Sequence, residues 1–187
     1  ESYKERVQKV MDDPEYYGKI ERPELIEYWH ADYVLVNVFK AFYVSHAIKM
    51  GDVKTDLAAW IDFGYARSAL TIPEPYEWKN DFDKEKIHFF NQYEIEPQRP
   101  IDDIIRTGDV YIQGCHIVAG KEKWETLLDL MLRNMELLLQ HNLIDDDQTL
   151  LLMSYLVAPQ HFELHEADPN QWFRNFWYYN ECYLPSM

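Results

Sequence analysis

The stretch AAWIDFGYAR, residues 58 to 67, sets an apolar run against one acid, Asp62, followed by Gly64 and Arg67. A carboxylate at the carboxyl end of a strand can ligate a hard divalent cation, Mn2+ or Mg2+, since these ions take oxygen ligands and share them with substrate phosphates. Gly64 would let a substrate approach the backbone, and Arg67 would hold an anionic group. The same order of residues also serves a plain turn that Asp62 caps and Arg67 neutralises. A second acidic site is DDDQT, residues 145 to 149. Three consecutive acids repel one another unless a cation, a helix N-terminus or water relieves them. Asp146 or Asp147 can cap the following helix while the others stay solvated. Alternatively, Asp146 or Asp147 acts as a general base or binds sugar hydroxyls, with the Gln148 amide pointing the same way.

Histidine supplies less. His161 and His165 in QHFELHEAD share a strand face but stand too far apart to chelate one ion together, so at most one is a ligand. His88 and His116 lie inside apolar strands, where a histidine is more often a satisfied core residue. There is no HExxH spacing, no GxGxxG, no P-loop and no GxSxG, which removes zinc-protease, phosphate-cradle and nucleophile-elbow chemistry. Neither WID nor DDD is backed by neighbouring histidines, which argues against a two-metal phosphoesterase. In IQGCHIVAGKEKW, Gly114 permits close approach of a ligand, and Gly120 leads into a helix whose N-terminus can face an anion. A bulge followed by an ordinary strand-to-helix turn explains the same residues.

The elements that would position these side chains read as mixed α and β. Residues 2–13 carry apolar positions at helical spacing up to Pro14. Residues 22–52 read as one helical run, with Leu35, Val38, Phe39, Phe42 and His46 on a face. LAAWID (57–62) is a short strand buried on both faces. Residues 64–85, with Gly64, Pro73 and Pro75, form a long loop. KIHFF (86–90) is a strand, 94–103 is irregular, and 109–120 is a strand bent at Gly114. Residues 121–143 make the strongest helix, through Trp124, Leu127, Leu128, Met131, Met135 and Leu138. A further helix (147–158), a strand (161–167) and an aromatic tail (171–185) follow. The tail docks on the body, or else offers a homodimer surface. Apolar strands followed by loops place Asp62 where open α/β sheets bind ligands.

The 187 residues suffice for one α/β domain that buries roughly 70% of its unfolded surface. A content of 47% apolar and 16% aromatic residues excludes disorder. Acids outnumber bases 33 to 18, and the net charge of -15 opposes nucleic acid and anionic membrane as partners. No stretch approaches 18 apolar residues and no leader opens the chain, so neither an integral membrane segment nor a signal peptide is expected. Cys115 and Cys182 read as free thiols in a reducing compartment, which predicts a cytoplasmic location.

Taken together, WIDFGYAR, GDVYIQGCHIVAGKEKW, DDDQTLL and the late HFELH resemble the HtrL/YibB family, over about residues 35 to 175. Its bacterial members, encoded near lipopolysaccharide core genes, look like GT-A type glycosyltransferases, which pass a sugar from a nucleotide-diphosphate donor to a saccharide acceptor. The resemblance implies a mixed central sheet flanked by helices. Asp62 would match the first acid of an Asp-x-Asp metal motif, with Gly64 in place of the second. Gln113 and Gly114 would lie near the donor sugar, Asp146 and Asp147 at the acceptor, and His161 or His165 in the metal shell. It also implies a nucleotide-binding half before Asp62, where about 60 mostly helical residues stand. The chain, which starts at Glu1, would then be the C-terminal part of a longer protein or a reduced variant. The competing expectation is a glycosyltransferase-like module without turnover that binds a saccharide or a protein.

Overall fold

A computed structural model describes residues 1–68, 71–72, 81–167 and 172–177; Pro73, Pro75, Cys182 and most of the aromatic tail lie outside them. The chain opens with α1 (Tyr3–Met11), started by a capping box in which Ser2 and Glu5 satisfy each other's backbone N–H groups. Asp13 then caps the short α2 (Pro14–Tyr17), with Pro14 in its first turn.

The predicted single helix over 22–52 is broken instead. A 3-10 turn at Ile26–Tyr28 precedes α3 (Ala31–Val38) and α4 (Lys40–Lys49), and the two helices part at Phe39, where ψ is 7°. Val34, Val36 and Val38 are poor helix formers, and the Asn37 amide donates to the Tyr33 carbonyl at 3.0 Å, which loosens the final turn. The break also changes which face is covered: Val34, Val38, Ala41 and Val44 are buried, whereas Phe42 is exposed.

One four-stranded sheet follows, in the order β1-β3-β2-β4. Its strands are β1 (Leu57–Ile61), β2 (Ile87–Asn91), β3 (Ile112–Gly120) and β4 (Phe162–Glu166). β3 runs antiparallel to both neighbours and β4 parallel to β2, which makes the sheet mixed. β2 and β3 are buried throughout. β1 corrects the expectation of burial on both faces: among the described residues it is an edge strand paired only with β3, and Ala59 and Ile61 are exposed. An alanine-rich run that is apolar on both faces cannot be told from a central strand by pattern alone. The bend expected at Gly114 is present as a register shift. Phe89 faces Ile117 but Asn91 faces Ile112, so β3 spends extra residues around Gly114.

Residues 94–103, read as irregular, lead into α5 (Ile101–Thr107), which ends at Gly108 with φ of 63°. Seven residues are too few to show a helical period. α6 (Lys123–Gln140) and α7 (Asp147–Val157) match the sequence reading, and α4 and α7 pack on α6. Trp124, Leu127, Met131 and Met135 of α6 join Ile87, Phe89 and Ile117 in one core on the helix-covered face of the sheet. Phe82, Phe90 and Val118 form a smaller cluster on the opposite face.

Gly120 closes β3 against the turn before β2. An added Cβ there would lie 1.7 Å from the Lys84 carbonyl oxygen, a backbone atom that cannot swing aside. Gly120→Ala is therefore expected to lower the unfolding free energy by about 1–3 kcal/mol. Urea denaturation reads this directly, and an unchanged midpoint would contradict the close contact.

Candidate functional site

Three elements converge beside the end of β1. Asp62 follows its last residue and keeps the β1 register, donating its N–H to the Cys115 carbonyl at 2.9 Å. Side chains alternate along a strand, so Asp62 falls on the same face as Trp60, whose indole N–H donates to Asp62 Oδ1 at 2.7 Å. Asp147 enters from the first turn of α7. Lys40 enters from the first turn of α4, just past the Phe39 break, and that break aims a lysine into the protein.

The Lys40 ammonium sits among these groups. Its Nζ lies 2.9 Å from Asp147 Oδ2 and 3.2 Å from Asp62 Oδ1, and it donates to the Gly114 carbonyl at 3.0 Å. The Lys40 side chain is only 5% exposed and that of Asp147 2%, whereas Asp62 at 37% still faces solvent. Burial alone would depress the lysine pKa, but the Asp147 and Asp62 carboxylates more than offset it and the net shift is upward. The ammonium is thus charged. Gly114 is required here for space, since a Cβ at that position would fall 2.2 Å from Asp147 Oδ2.

All three acids of DDD are buried, which corrects the picture of solvated neighbours. Asp146 is the cap of α7 and accepts from the Gln148 N–H at 2.9 Å. Asp145 accepts from the Thr149 hydroxyl at 2.6 Å and from the Asp146 N–H at 2.9 Å. Burial pushes the Asp145 pKa up to about 7. It also raises Asp146, to which repulsion from Asp147 and Asp145 adds. Asp147 is raised by burial too, in spite of the opposing pull of Lys40. The carboxyl groups in this corner outnumber the one lysine that compensates them, and the raised values reflect it.

A cavity of about 260 Å3 opens over the cluster, bordered by Asp62, Asp146, Asp147, Lys40, Tyr33 and Trp172. Gly64, Arg67, Gly114 and Gln148 also line it, so seven residues singled out in the sequence border one cavity. Arg67 is held by the Gly64 carbonyl at 3.1 Å and stacks on the Phe173 ring at 4.7 Å. Gln113 is not in the lining. It is buried, and its amide accepts from Asn175 and donates to the Trp172 carbonyl, so it anchors the 172–177 segment that walls the cavity. That segment docks as expected for the described part of the tail: the Tyr65 hydroxyl accepts from the Asn175 N–H at 2.9 Å, with Phe173 and Phe176 packed on the Tyr65 ring. His161 closes a 3-10 turn after α7, and His165 lies on the opposite face of the sheet; neither borders this cavity. Cys115 does border it, but burial pushes its thiol up to about 12, which rules out a thiolate nucleophile at neutral pH. A larger cavity of about 570 Å3, near α2, α5 and the end of α6, contains none of these acids.

Lys40 is the central residue of this cluster that the sequence pattern did not single out. Its signal was present: it is the single charged side chain between Tyr33 and Ser45, in an otherwise apolar and aromatic run. A lysine is almost never fully buried unless paired.

These features define a mixed α/β protein with a carboxylate–lysine cluster at a sheet edge. The chain belongs to the HtrL/YibB family, described as bacterial proteins of unknown function, whose model matches residues 1–180. It is 35% identical to Protein HtrL of Escherichia coli (strain K12) over 176 residues, which cover 91% of this chain and 62% of that protein. The chain therefore spans a little under two thirds of the length of the curated relative it matches. No solved structure matches it. Among the described residues, no helix is long and apolar enough to cross a membrane.

Proposed function

We propose that this protein transfers a sugar from a nucleotide-diphosphate donor to a saccharide acceptor in lipopolysaccharide or other cell-surface glycan synthesis. The observation that carries the proposal is the meeting of Asp62 and Asp147, from elements far apart in sequence, on one buried ammonium beside an open cavity. At about 260 Å3 the cavity has room for a sugar ring or a diphosphate, so the nucleotide of a donor would extend beyond it. Arg67, already oriented by Phe173, would meet the donor's anionic part. Gln148 and Asp146 stand where hydroxyls of a sugar can be bound.

The donor set also fits a divalent cation, Mn2+ or Mg2+. It consists of carboxylate oxygens, and burial and mutual repulsion raise Asp146 and Asp147, as expected of a corner short of positive charge. Asp62, the most exposed of the acids in this cavity, would hold the ion, which when bound would supply charge stabilisation to the departing diphosphate. Asp147 would take the acceptor hydroxyl's proton. Its raised pKa strengthens it as a base, while Lys40 fixes its orientation.

A module that binds without turnover is the second reading. Gly64 in place of a second metal acid, and an ammonium already between the two carboxylates, both favour it. Calorimetry with UDP and UDP-glucose, with and without Mn2+, separates the readings. The transferase reading expects Mn2+-dependent nucleotide binding that weakens about tenfold or more in Asp62→Asn, since a metal ligand is lost. No nucleotide binding under any of these conditions would refute it and leave the module.

A further inference from the structure

The face of the sheet turned away from Lys40 carries a separate constellation. Alternation places His88 and Phe90 of β2, Glu163 and His165 of β4, and His116 of β3 on this side, while Phe89, Phe162 and Ile117 point to the helices. His88 and His165 are buried, at 0% and 2% exposure, in an apolar setting that includes Phe82 and Phe90. Two imidazoles in such surroundings require partners.

Their nitrogens face each other. His88 Nδ1 lies 2.9 Å from His165 Nε2 and 3.7 Å from Glu163 Oε2, and one donor atom from each of the three residues falls within 4.8 Å of the others. The remaining His88 nitrogen, Nε2, lies 2.8 Å from the Asp83 carbonyl oxygen. A carbonyl can only accept, so Nε2 carries the hydrogen and Nδ1 presents a lone pair toward Glu163 and His165. This is the arrangement of a metal-binding histidine, whose second nitrogen is fixed by a backbone acceptor. Glu163 is half exposed, which provides both an entry path and the freedom to close on an ion.

We propose that His88 Nδ1, His165 Nε2 and the Glu163 carboxylate bind a transition-metal dication of the Zn2+ class. Two imidazoles with one carboxylate suit Zn2+ and disfavour Mg2+ or Ca2+, which prefer all-oxygen shells. Bond lengths of about 2.0–2.2 Å at a tetrahedral ion require the two nitrogens, now 2.9 Å apart, to separate to roughly 3.3 Å, the hydrogen shared by the two rings to leave, and the Glu163 side chain to move inward. Three protein ligands leave one coordination position for water. The ion would tie β4, which among the described residues pairs with β2 alone, to that strand and to the Asp83 turn. This site is independent of the sugar-transfer reading, because it uses none of the residues around Lys40.

The test is titration of Zn2+ into the chelator-treated chain by calorimetry, with Co2+ as a spectroscopic probe of coordination and thermal melting alongside. The expected result is saturable binding of one ion per chain, visible d–d absorption with Co2+, and a raised melting temperature. Glu163→Gln, at a half-exposed position that should leave the fold intact, is expected to weaken Zn2+ binding about tenfold or more. Asp62→Asn should leave it unchanged. A chain that binds no Zn2+, or binds it equally well with Glu163→Gln, has only a histidine–histidine hydrogen bond here; loss of binding with Asp62→Asn instead would place the ion at the other site and overturn the proposal.

Discussion

Lys40→Met lowers the unfolding free energy by about 3–5 kcal/mol, the cost expected when one partner of a buried ion pair is removed and the other charge stays buried. Met nearly conserves the volume of the lysine stem, so the loss isolates charge from packing. Asp147 bears the consequence, since its side chain is 2% exposed and its Oδ2 rests 2.9 Å from the ammonium. Asp62 is open enough for water to replace the lysine. The Gly114 carbonyl also loses its donor. Adding Asp147→Asn to Lys40→Met removes the stranded charge and is expected to recover most of the stability. Urea denaturation of wild type, both single variants and the double variant reads this as a coupling energy. Additive losses in the double variant would mean that the ammonium does not compensate Asp147, and the site as described would be wrong.

The same cluster shows why part of the site was legible and part was not. Asp62 and the 145–147 acids stood out because acids next to apolar strands and helix starts demand a reason, and both groups border one cavity. Gly114 was legible as a backbone needing room, although the neighbour it makes room for, Asp147, is 33 residues away and no local pattern reveals it. Lys40 was hidden by the reading of 22–52 as one amphipathic helix, in which a lysine off the Leu35, Val38 and Phe42 face is unremarked. Only the break at Phe39 turns it inward, and a helix break without Pro or Gly depends on tertiary packing as much as on local propensity. Gln113 was placed near a donor sugar by the family resemblance alone; adjacent strand residues point to opposite faces, and it serves the 172–177 segment instead. The edge position of β1 was invisible for a related reason: which strands pair is a long-range property, settled when β3 inserts between β1 and β2.

The two faces of the sheet also respond to pH with opposite signs, which makes each separately measurable. His116 is fully buried and enclosed by the rings of Tyr65, Phe90 and Phe176. Burial lowers its pKa to about 3 from an ordinary 6.5. The unfolded chain therefore accepts a proton below pH 6.5 that the folded chain refuses until near 3. His116 thus leaves stability intact above pH 6.5 and erodes it as pH falls, by up to about 1.4 kcal/mol per pH unit. Asp145 does the reverse. Its folded pKa near 7 lies above the ordinary 3.8, so the folded chain holds a proton that the unfolded chain has lost, and its contribution, present in acid, disappears as pH rises through 7. Because three buried carboxylates share that corner, the proton belongs to the cluster and the slope spreads over a wider range. Relative to His116→Leu, wild type should lose stability between pH 6.5 and 4; relative to Asp145→Asn, it should gain stability over the same interval. Urea denaturation in the presence of a chelator, at several pH values, gives both differences. Two slopes of the same sign would show that one of these groups is not held in the environment described: the imidazole has access to water, or the acid cluster keeps all its charges by means of a cation that the chelator does not remove.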